Sequence, residues 1–85
     1  MHLNIITPTG TTYDGEADAL VAPGLKGWLG ILPRHAPMIC ALREGSVNVR
    51  CGFDTLYFAV GYGMLEVQDD AVTILTGTAH AIKQA

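Results

Sequence analysis

The chain has 85 residues, of which 49% are hydrophobic and 15% are charged, and its formal net charge is −3. Soluble domains usually carry about 25% charged residues, so a chain this small and charge-poor is expected to leave apolar surface open to a partner. Its five Lys and Arg residues are scattered, which argues against a nucleic-acid partner. No apolar run reaches the roughly 18 residues of a membrane span, so any membrane association is expected to go through another protein.

Alternating apolar residues predict a series of short β-strands along the chain. The residues expected to share a strand face are Leu3 with Ile5, Val47 with Val49, Leu56 with Phe58 and Val60, and Val72 with Ile74. Turn residues separate the strands at Pro8–Gly10, Asp14–Gly15, Pro23–Gly24, Pro33–Pro37, Glu44–Gly45, Cys51–Asp54, Gly61–Gly63 and Asp69–Asp70. Strands about 8–12 residues apart are typical of sandwiches and barrels. The pattern predicts one all-β domain over residues 1–85, a small antiparallel β-sandwich. The nearest approach to a helical pattern is the tail from residue 78 to 85, with a turn or two of helix at most, too short to be stable by itself.

The segment from residue 27 to 37 is rich in residues that control backbone shape. Gly27 and Gly30 can adopt positive φ without steric cost. Pro33 and Pro37 fix their own φ and restrict the residue before each of them. The segment contains almost no catalytic side chains, so we expect a stiff, irregular loop that presents apolar side chains to a partner.

Trp28, the only Trp in the chain, allows two interpretations. A lone Trp can anchor a core, but in a glycine-flanked loop it can also be an exposed contact residue. Trp is enriched at interface hot spots, so we favour the contact.

The residue types that carry chemistry form no recognisable catalytic or metal-binding pattern. His2, His35 and His80 lie far apart and outside zinc-binding motifs. Cys40 sits in an apolar run, where cysteine behaves as a small hydrophobe, and together with Cys51 it provides too few cysteines for a disulfide framework. An enzyme would need a neighbour that activates Cys40 or His35. We therefore expect no catalytic residue, no metal and no cofactor.

Several motifs occur in an order that resembles one known family. They are GWLGILPRHAP at 27–37, LNIITPTG at 3–10, YDGEAD at 13–18, LREG at 42–45, YFAV at 57–60, GMLEV at 63–67, and DAVTIL at 70–75 followed by Thr78 and Ala79. This collinear set resembles the ε subunit of bacterial F-type ATP synthases over essentially the whole chain.

The resemblance implies a β-sandwich that serves as a non-catalytic rotor subunit. In that family the domain joins the foot of the γ subunit to the ring of c subunits, contacts the F1 head only indirectly, and lies peripherally at the cytoplasmic face of the bacterial plasma membrane. The positions that the resemblance assigns to the c ring are Gly27, Trp28, Leu29 and Gly30, and those that it assigns to γ are Thr7, His35 and Cys40.

The alternative function is a free-standing β-sandwich module that binds a ligand or another protein. A concave pocket with converging polar groups would favour that alternative. A flat apolar patch around Trp28, Leu29 and Ile31 would favour the rotor subunit.

Three features depart from the family's usual pattern. The family often has an acidic residue at the position of Trp28, and a glycine at the position of Tyr62. Many members also continue into a helical hairpin that can inhibit ATP hydrolysis or bind ATP. Because this sequence stops at Ala85, we expect neither of those functions in it.

Overall fold

The computed structural model describes residues 1–82, which form ten β-strands. They are β1 (His2–Thr7), β2 (Gly10–Glu16), β3 (Ala19–Gly24), β4 (Gly27–Ile31), β5 (Met38–Leu42), β6 (Gly45–Cys51), β7 (Asp54–Val60), β8 (Gly63–Gln68), β9 (Ala71–Thr76) and β10 (Ala79–Ile82). Within those residues the structure has no helix long or apolar enough to cross a membrane. The all-β prediction is confirmed.

The strands follow one hydrogen-bonded path that folds back on itself. Its order is β10-β7-β6-β3-β5-β8-β9-β1-β2, and β4 pairs with β3 outside this path. A single residue pair, Gly24 with Leu42, joins the half containing β3 to the half containing β5. At the other side, the Thr12 hydroxyl donates to the carbonyl of Ala79 at 3.4 Å. Buried side chains from both halves form one core between them.

The sheet departs from a purely antiparallel arrangement at its N-terminal strand. β1 pairs in parallel with β9, so that Leu3 lies beside Val72 and Ile5 beside Ile74. Parallel neighbours require a long connection, and here most of the chain supplies it. Side-chain alternation is the same in both directions, which is why the sequence could not reveal this pair.

The core contains most of the predicted strand faces. Leu3 and Ile5 of β1, and Val47 and Val49 of β6, are fully buried. On β7 only part of the predicted face is inside, since Leu56 lies near the strand's start and is exposed. Burying each such aliphatic side chain contributes roughly 1.5–3 kcal/mol, so these alternating pairs are the main source of stability.

The turns and the tail were predicted less well. Asp69 and Asp70 do form the β8–β9 turn, with φ of 53° and 59°, as expected for residues that tolerate the left-handed region. The predicted turns at residues 14–15 and 23–24 instead lie within β2 and β3.

The helical tail prediction is wrong for residues 79–82. They form β10, which pairs with β7 and places Ala79 beside Val60. Pairing with a neighbouring strand outweighs the weak helix preference of a short segment. Residues 83–85 of the predicted helix lie outside the described residues.

Candidate docking surface

The loop assigned to the c ring forms the second strand of a hairpin. β3 and β4 pair Pro23 with Trp28 and Ala22 with Leu29, and the chain reverses at residues 25–26. Gly27 has a φ of 137°, as its freedom from a Cβ allows. The prediction of an irregular loop is therefore wrong for residues 27–31, which are an ordinary strand.

The remainder of the segment, residues 32–37, is irregular as predicted. Pro33 and Pro37 are both exposed in this connection between β4 and β5. The left-handed residue is Arg34, with φ 66°, and Gly30 is not among the residues with positive φ. The backbone N–H of Arg34 donates to Asp70 Oδ1 at 2.8 Å, which ties the connection to the β8–β9 turn.

Main-chain hydrogen bonds fasten the hairpin to β5 and to the residue that follows it. The N–H of Leu25 donates to the carbonyl of Ala41 at 3.0 Å, and the N–H of Arg43 donates to the carbonyl of Pro23 at 2.9 Å. Within the hairpin, Gly24 allows the close pairing with β4, because a Cβ there would lie 2.5 Å from the carbonyl oxygen of Gly27. The hairpin is thus anchored by its backbone.

Beside the hairpin lies an open groove of about 430 Å³. Its lining residues are Gly24, Leu25, Lys26, Gly27, Trp28, Leu29, Cys40 and Ala41. Trp28 is 57% exposed, so it does not belong to the core, whereas Ile31 is 1% exposed and faces inward. The apolar patch is therefore built from Leu25, Trp28 and Leu29 and excludes Ile31. We call these lining residues the hairpin groove.

Arg43 adds a contact that the sequence did not indicate. Its Cζ lies 5.3 Å from the centroid of the Trp28 ring, a cation–π geometry. Lys26, at the tip of the hairpin, is exposed. The proximity of Arg43 to Trp28 depends on the pairing of β3 with β5, for which the sequence carries no signal.

The hairpin groove does not resemble a ligand-binding or catalytic pocket. Lys26 is its only charged lining residue, and no cluster of polar groups converges in it. Burial raises the pKa of the Cys40 thiol, which disfavours the reactive thiolate. The ring of His35 makes its hydrogen bond to the carbonyl of Ala36, at 2.7 Å from Nδ1. No activating neighbour of either residue is seen in the described chain.

The three positions assigned to γ do not form one cluster. Cys40 lines the hairpin groove, and Thr7 lies at the end of β1. His35 follows Arg34, which is bonded to the β8–β9 turn. Because β1 and β9 are parallel, this turn lies at the opposite end of the sheet from Thr7. Their contact with γ remains a prediction.

An apolar row crosses the outer face of the second half of the sheet. Cross-strand pairs place Ala41 beside Met64, Met64 beside Leu75, and Leu75 beside Ile6. Met64 is 43% exposed and Leu75 52%. The row begins at Ala41 in the hairpin groove and ends next to Thr7, so it links two of the predicted contact regions. We call these four residues the apolar band.

The apolar band leaves no signal in the sequence, because its members come from four strands. Each member alone is an unremarkable exposed apolar residue, and only the register of the sheet places them side by side. Tyr62 lies at the band's edge, where it lines a shallow groove with Ile6 and Leu75. Tyr62 is not among the residues with positive φ, so the turn tolerates its side chain.

His2 forms the only ion pairs found within residues 1–82. Its Nε2 lies 2.6 Å from Asp14 Oδ1 and its Nδ1 3.1 Å from Glu16 Oε2. The hydrogen bond to Glu16, and to a smaller extent the hydrogen bond to Asp14, raises the pKa of His2 above 6.5. The two ring nitrogens face different carboxylates, and no group of residues in the described chain could hold a metal ion.

The chain matches a known family model over residues 1–82. That model describes the β-sandwich domain of the ATP synthase delta/epsilon chain. The chain is 46% identical over 78 residues to the ATP synthase epsilon chain of Acidithiobacillus ferridurans, covering 92% of this chain and 55% of that protein. It is also 46% identical over 84 residues to ATP synthase epsilon chain 1 of Methylococcus capsulatus, covering 98% of this chain and 60% of that protein. The chain thus spans little more than half the length of these relatives.

Solved structures share the fold. A chain in the Euglena gracilis mitochondrial ATP synthase OSCP/F1/c-ring structure superposes with a TM-score of 0.87 at 22% identity, covering 93% of this chain and 51% of that one. A chain in the central stalk/c-ring structure of the Tetrahymena thermophila mitochondrial ATP synthase superposes with a TM-score of 0.78 at 17% identity, covering 93% of this chain and 64% of that one.

Proposed function

The chain belongs to the family of β-sandwich domains of ATP synthase delta and epsilon chains, and on this basis we propose that it is a non-catalytic part of the central stalk. Its partners in this proposal are the γ subunit and the ring of c subunits, with the F1 head reached only through γ. It would sit peripherally at the cytoplasmic face of a bacterial plasma membrane. Its task is to help couple ion flow to ATP synthesis by joining shaft and ring.

The observation that carries the proposal is the continuity of the hairpin groove with the apolar band. Exposed apolar side chains from β4, β5, β8, β9 and β1 meet through Ala41, which belongs to both surfaces. Large exposed apolar patches mark protein partner surfaces. A subunit that joins two partners needs two such regions on one stiff body, and the backbone bonds of the hairpin supply the stiffness.

We assign the apolar band to γ and the hairpin groove to the c ring, except for Cys40 at the β5 wall of the groove, which stays assigned to γ with Thr7 and His35. The apolar band is a broad sheet face whose side chains are partly exposed, which suits packing against a shaft. The hairpin projects Trp28 at one end, which suits contact with the short loops of a ring.

Binding to γ tests the first assignment. The purified chain and γ should co-elute on size exclusion at micromolar concentrations. Leu75→Lys should weaken this complex at least about tenfold, or about 1.4 kcal/mol, because it buries an ammonium in an apolar interface. Thr73→Lys is the matched control, since it changes the same strand face outside the band. Separate elution of the wild-type chain, or equal losses in both variants, would contradict the proposal.

The second assignment is tested by restoring coupling to enzyme depleted of its ε subunit. The wild-type chain should restore ATP synthesis driven by the coupling ion, which is H⁺ or Na⁺. Trp28→Glu should keep the circular dichroism spectrum and the γ complex but restore less coupling. Loss of the fold in Trp28→Glu would show that this side chain is structural, and full coupling would remove Trp28 from the c-ring contact.

A further inference from the structure

Lys26 lines the hairpin groove, and Arg43 lies beside it against the Trp28 ring; neither cation forms an ion pair with a carboxylate of residues 1–82. From this arrangement we propose that the groove binds an extended partner segment bearing a carboxylate next to an apolar side chain. The identity of that partner as a ring loop rests on the function proposed above. The chemistry of recognition rests on the groove itself.

The apolar part of the groove would hold the segment's apolar side chain. Leu25 and Trp28 expose more than half of their surface, and Leu29 and Ala41 form the remaining apolar walls. The volume of about 430 Å³ is at the low end of the range for small-molecule pockets. The groove has room for one or two side chains of a partner segment.

The cations would hold the carboxylate. Arg43 lies with Cζ 5.3 Å from the centroid of the Trp28 ring, and its Nη1 donates only a long bond of 3.4 Å to the carbonyl of Glu44. Guanidinium has five N–H donors and binds carboxylates in a two-pronged fashion. Lys26 adds a second positive charge among the lining residues, which include no Asp or Glu.

The open edge of β4 favours a peptide as the occupant. Within residues 1–82, β4 pairs only with β3, so its second edge is free for main-chain hydrogen bonds. Extended peptides bind exposed strand edges in this way, with side chains entering neighbouring pockets. At Gly30 a Cβ would meet nothing within 4 Å, so the sheet face is open at this position. An anionic lipid headgroup would use the cations but not the strand edge.

Peptide titration of the isotope-labelled full chain tests the proposal by NMR. The probe is an end-blocked peptide of alternating Leu and Asp, and its control replaces each Asp by Asn. The Asp peptide should shift the Trp28 indole signal with a Kd of roughly 1 mM or below, and at least about fivefold tighter than the Asn peptide. Lys26→Gln and Arg43→Gln should each weaken binding at least about threefold. Arg50→Gln, an exposed cation outside the groove, should change it less than about twofold.

Other results would overturn the proposal. Equal binding of the Asp and Asn peptides would remove the role of the carboxylate, and no shift up to roughly 10 mM peptide would remove the site. Co-sedimentation with phosphatidylglycerol vesicles but not phosphatidylcholine vesicles, without a peptide shift, would assign the cations to a membrane surface. Self-association that Lys26→Gln abolishes would assign the groove to a second copy of the chain.

Co-elution with γ separates this proposal from the function proposed above. If γ binds through the apolar band while the Asp peptide fails, only the groove chemistry is wrong. If the Asp peptide binds while γ does not, the central-stalk assignment is wrong and the groove chemistry stands. All variants should retain the wild-type circular dichroism spectrum.

Discussion

Replacing Gly63 by alanine should destabilise the domain far more than the same replacement at Gly30. Both are strand residues outside the set with positive φ, so neither site strains the backbone of an alanine. A Cβ at Gly63 would lie 2.1 Å from the carbonyl oxygen of Leu75 and 2.9 Å from Cα of Thr76. A Cβ at Gly30 would meet nothing within 4 Å. The two variants therefore differ mainly in steric overlap.

The size of the effect follows from what Gly63 touches. The obstructing atoms are backbone atoms of the paired strand β9, which cannot rotate away as a flexible side chain can. Overpacking usually costs 1–3 kcal/mol, and we expect about 2–3 kcal/mol at Gly63. Gly30→Ala should instead stabilise by about 0.4–1 kcal/mol, because alanine lowers the entropy of the unfolded chain.

The difference is large for a domain of this size. At 0.05–0.15 kcal/mol per residue, a chain of 85 residues has a stability of about 4–13 kcal/mol. A loss of 2–3 kcal/mol should lower Tm by roughly 10–20 °C.

Urea unfolding followed by far-ultraviolet circular dichroism measures both variants under the same conditions. Their stabilities should differ by about 2–3 kcal/mol, which is the overlap cost, because the entropy gain of alanine is common to both variants and cancels. A difference below about 0.5 kcal/mol would refute the reasoning, because it would mean that β8 and β9 separate at little cost.

Two titrations probe side-chain contacts of β2, one with His2 of β1 and one with Cys51 of β6. The pKa of His2 should lie above 6.5 by NMR, and Glu16→Gln and Asp14→Asn should each lower it. The contribution of His2 to the stability of the fold is complete below pH 6.5 and disappears as pH rises through the folded-state pKa of His2. A hydrogen bond with Cys51, together with burial, raises the pKa of Tyr13 from 10.0 to about 12, so ultraviolet titration of Cys51→Ala should show earlier ionisation. The Tyr13 contribution is complete below pH 10 and is lost as pH rises toward 12; an unchanged pKa in these variants would remove the assigned contacts.

The parts of the fold that the sequence predicted are those set by local alternation. Val47 and Val49 face the core because strand residues two apart share a face, and the same rule places Leu3 and Ile5. Chain direction and pairing are long-range properties, so the parallel β1–β9 pair could not be predicted. The strand at Ala79–Ile82 was missed for the same reason, since only its neighbour β7 makes it a strand.

In the candidate site, too, local features could be read from the sequence and long-range contacts could not. Trp28 was recognised because a lone Trp among glycines stands out in the sequence. Arg43, fifteen residues away, was not, because it reaches Trp28 only through the pairing of β3 with β5. The apolar band was missed entirely, since Ile6, Met64 and Leu75 become neighbours only in the folded sheet.

The backbone of β3 ties the hairpin to both halves of the domain, as the proposed role in the central stalk requires. Through residues 19–21 it pairs with β6, and through Gly24 it pairs with β5 of the other half. Pro23 is fully buried between these contacts and lies so near Gly45 that a Cβ there would approach it to 3.0 Å. The hairpin cannot tilt without breaking main-chain hydrogen bonds in both halves of the domain. A load applied at Trp28 would therefore pass through main-chain hydrogen bonds into the core, and Pro23 and Gly24 contribute through the packing of the backbone rather than through side-chain chemistry.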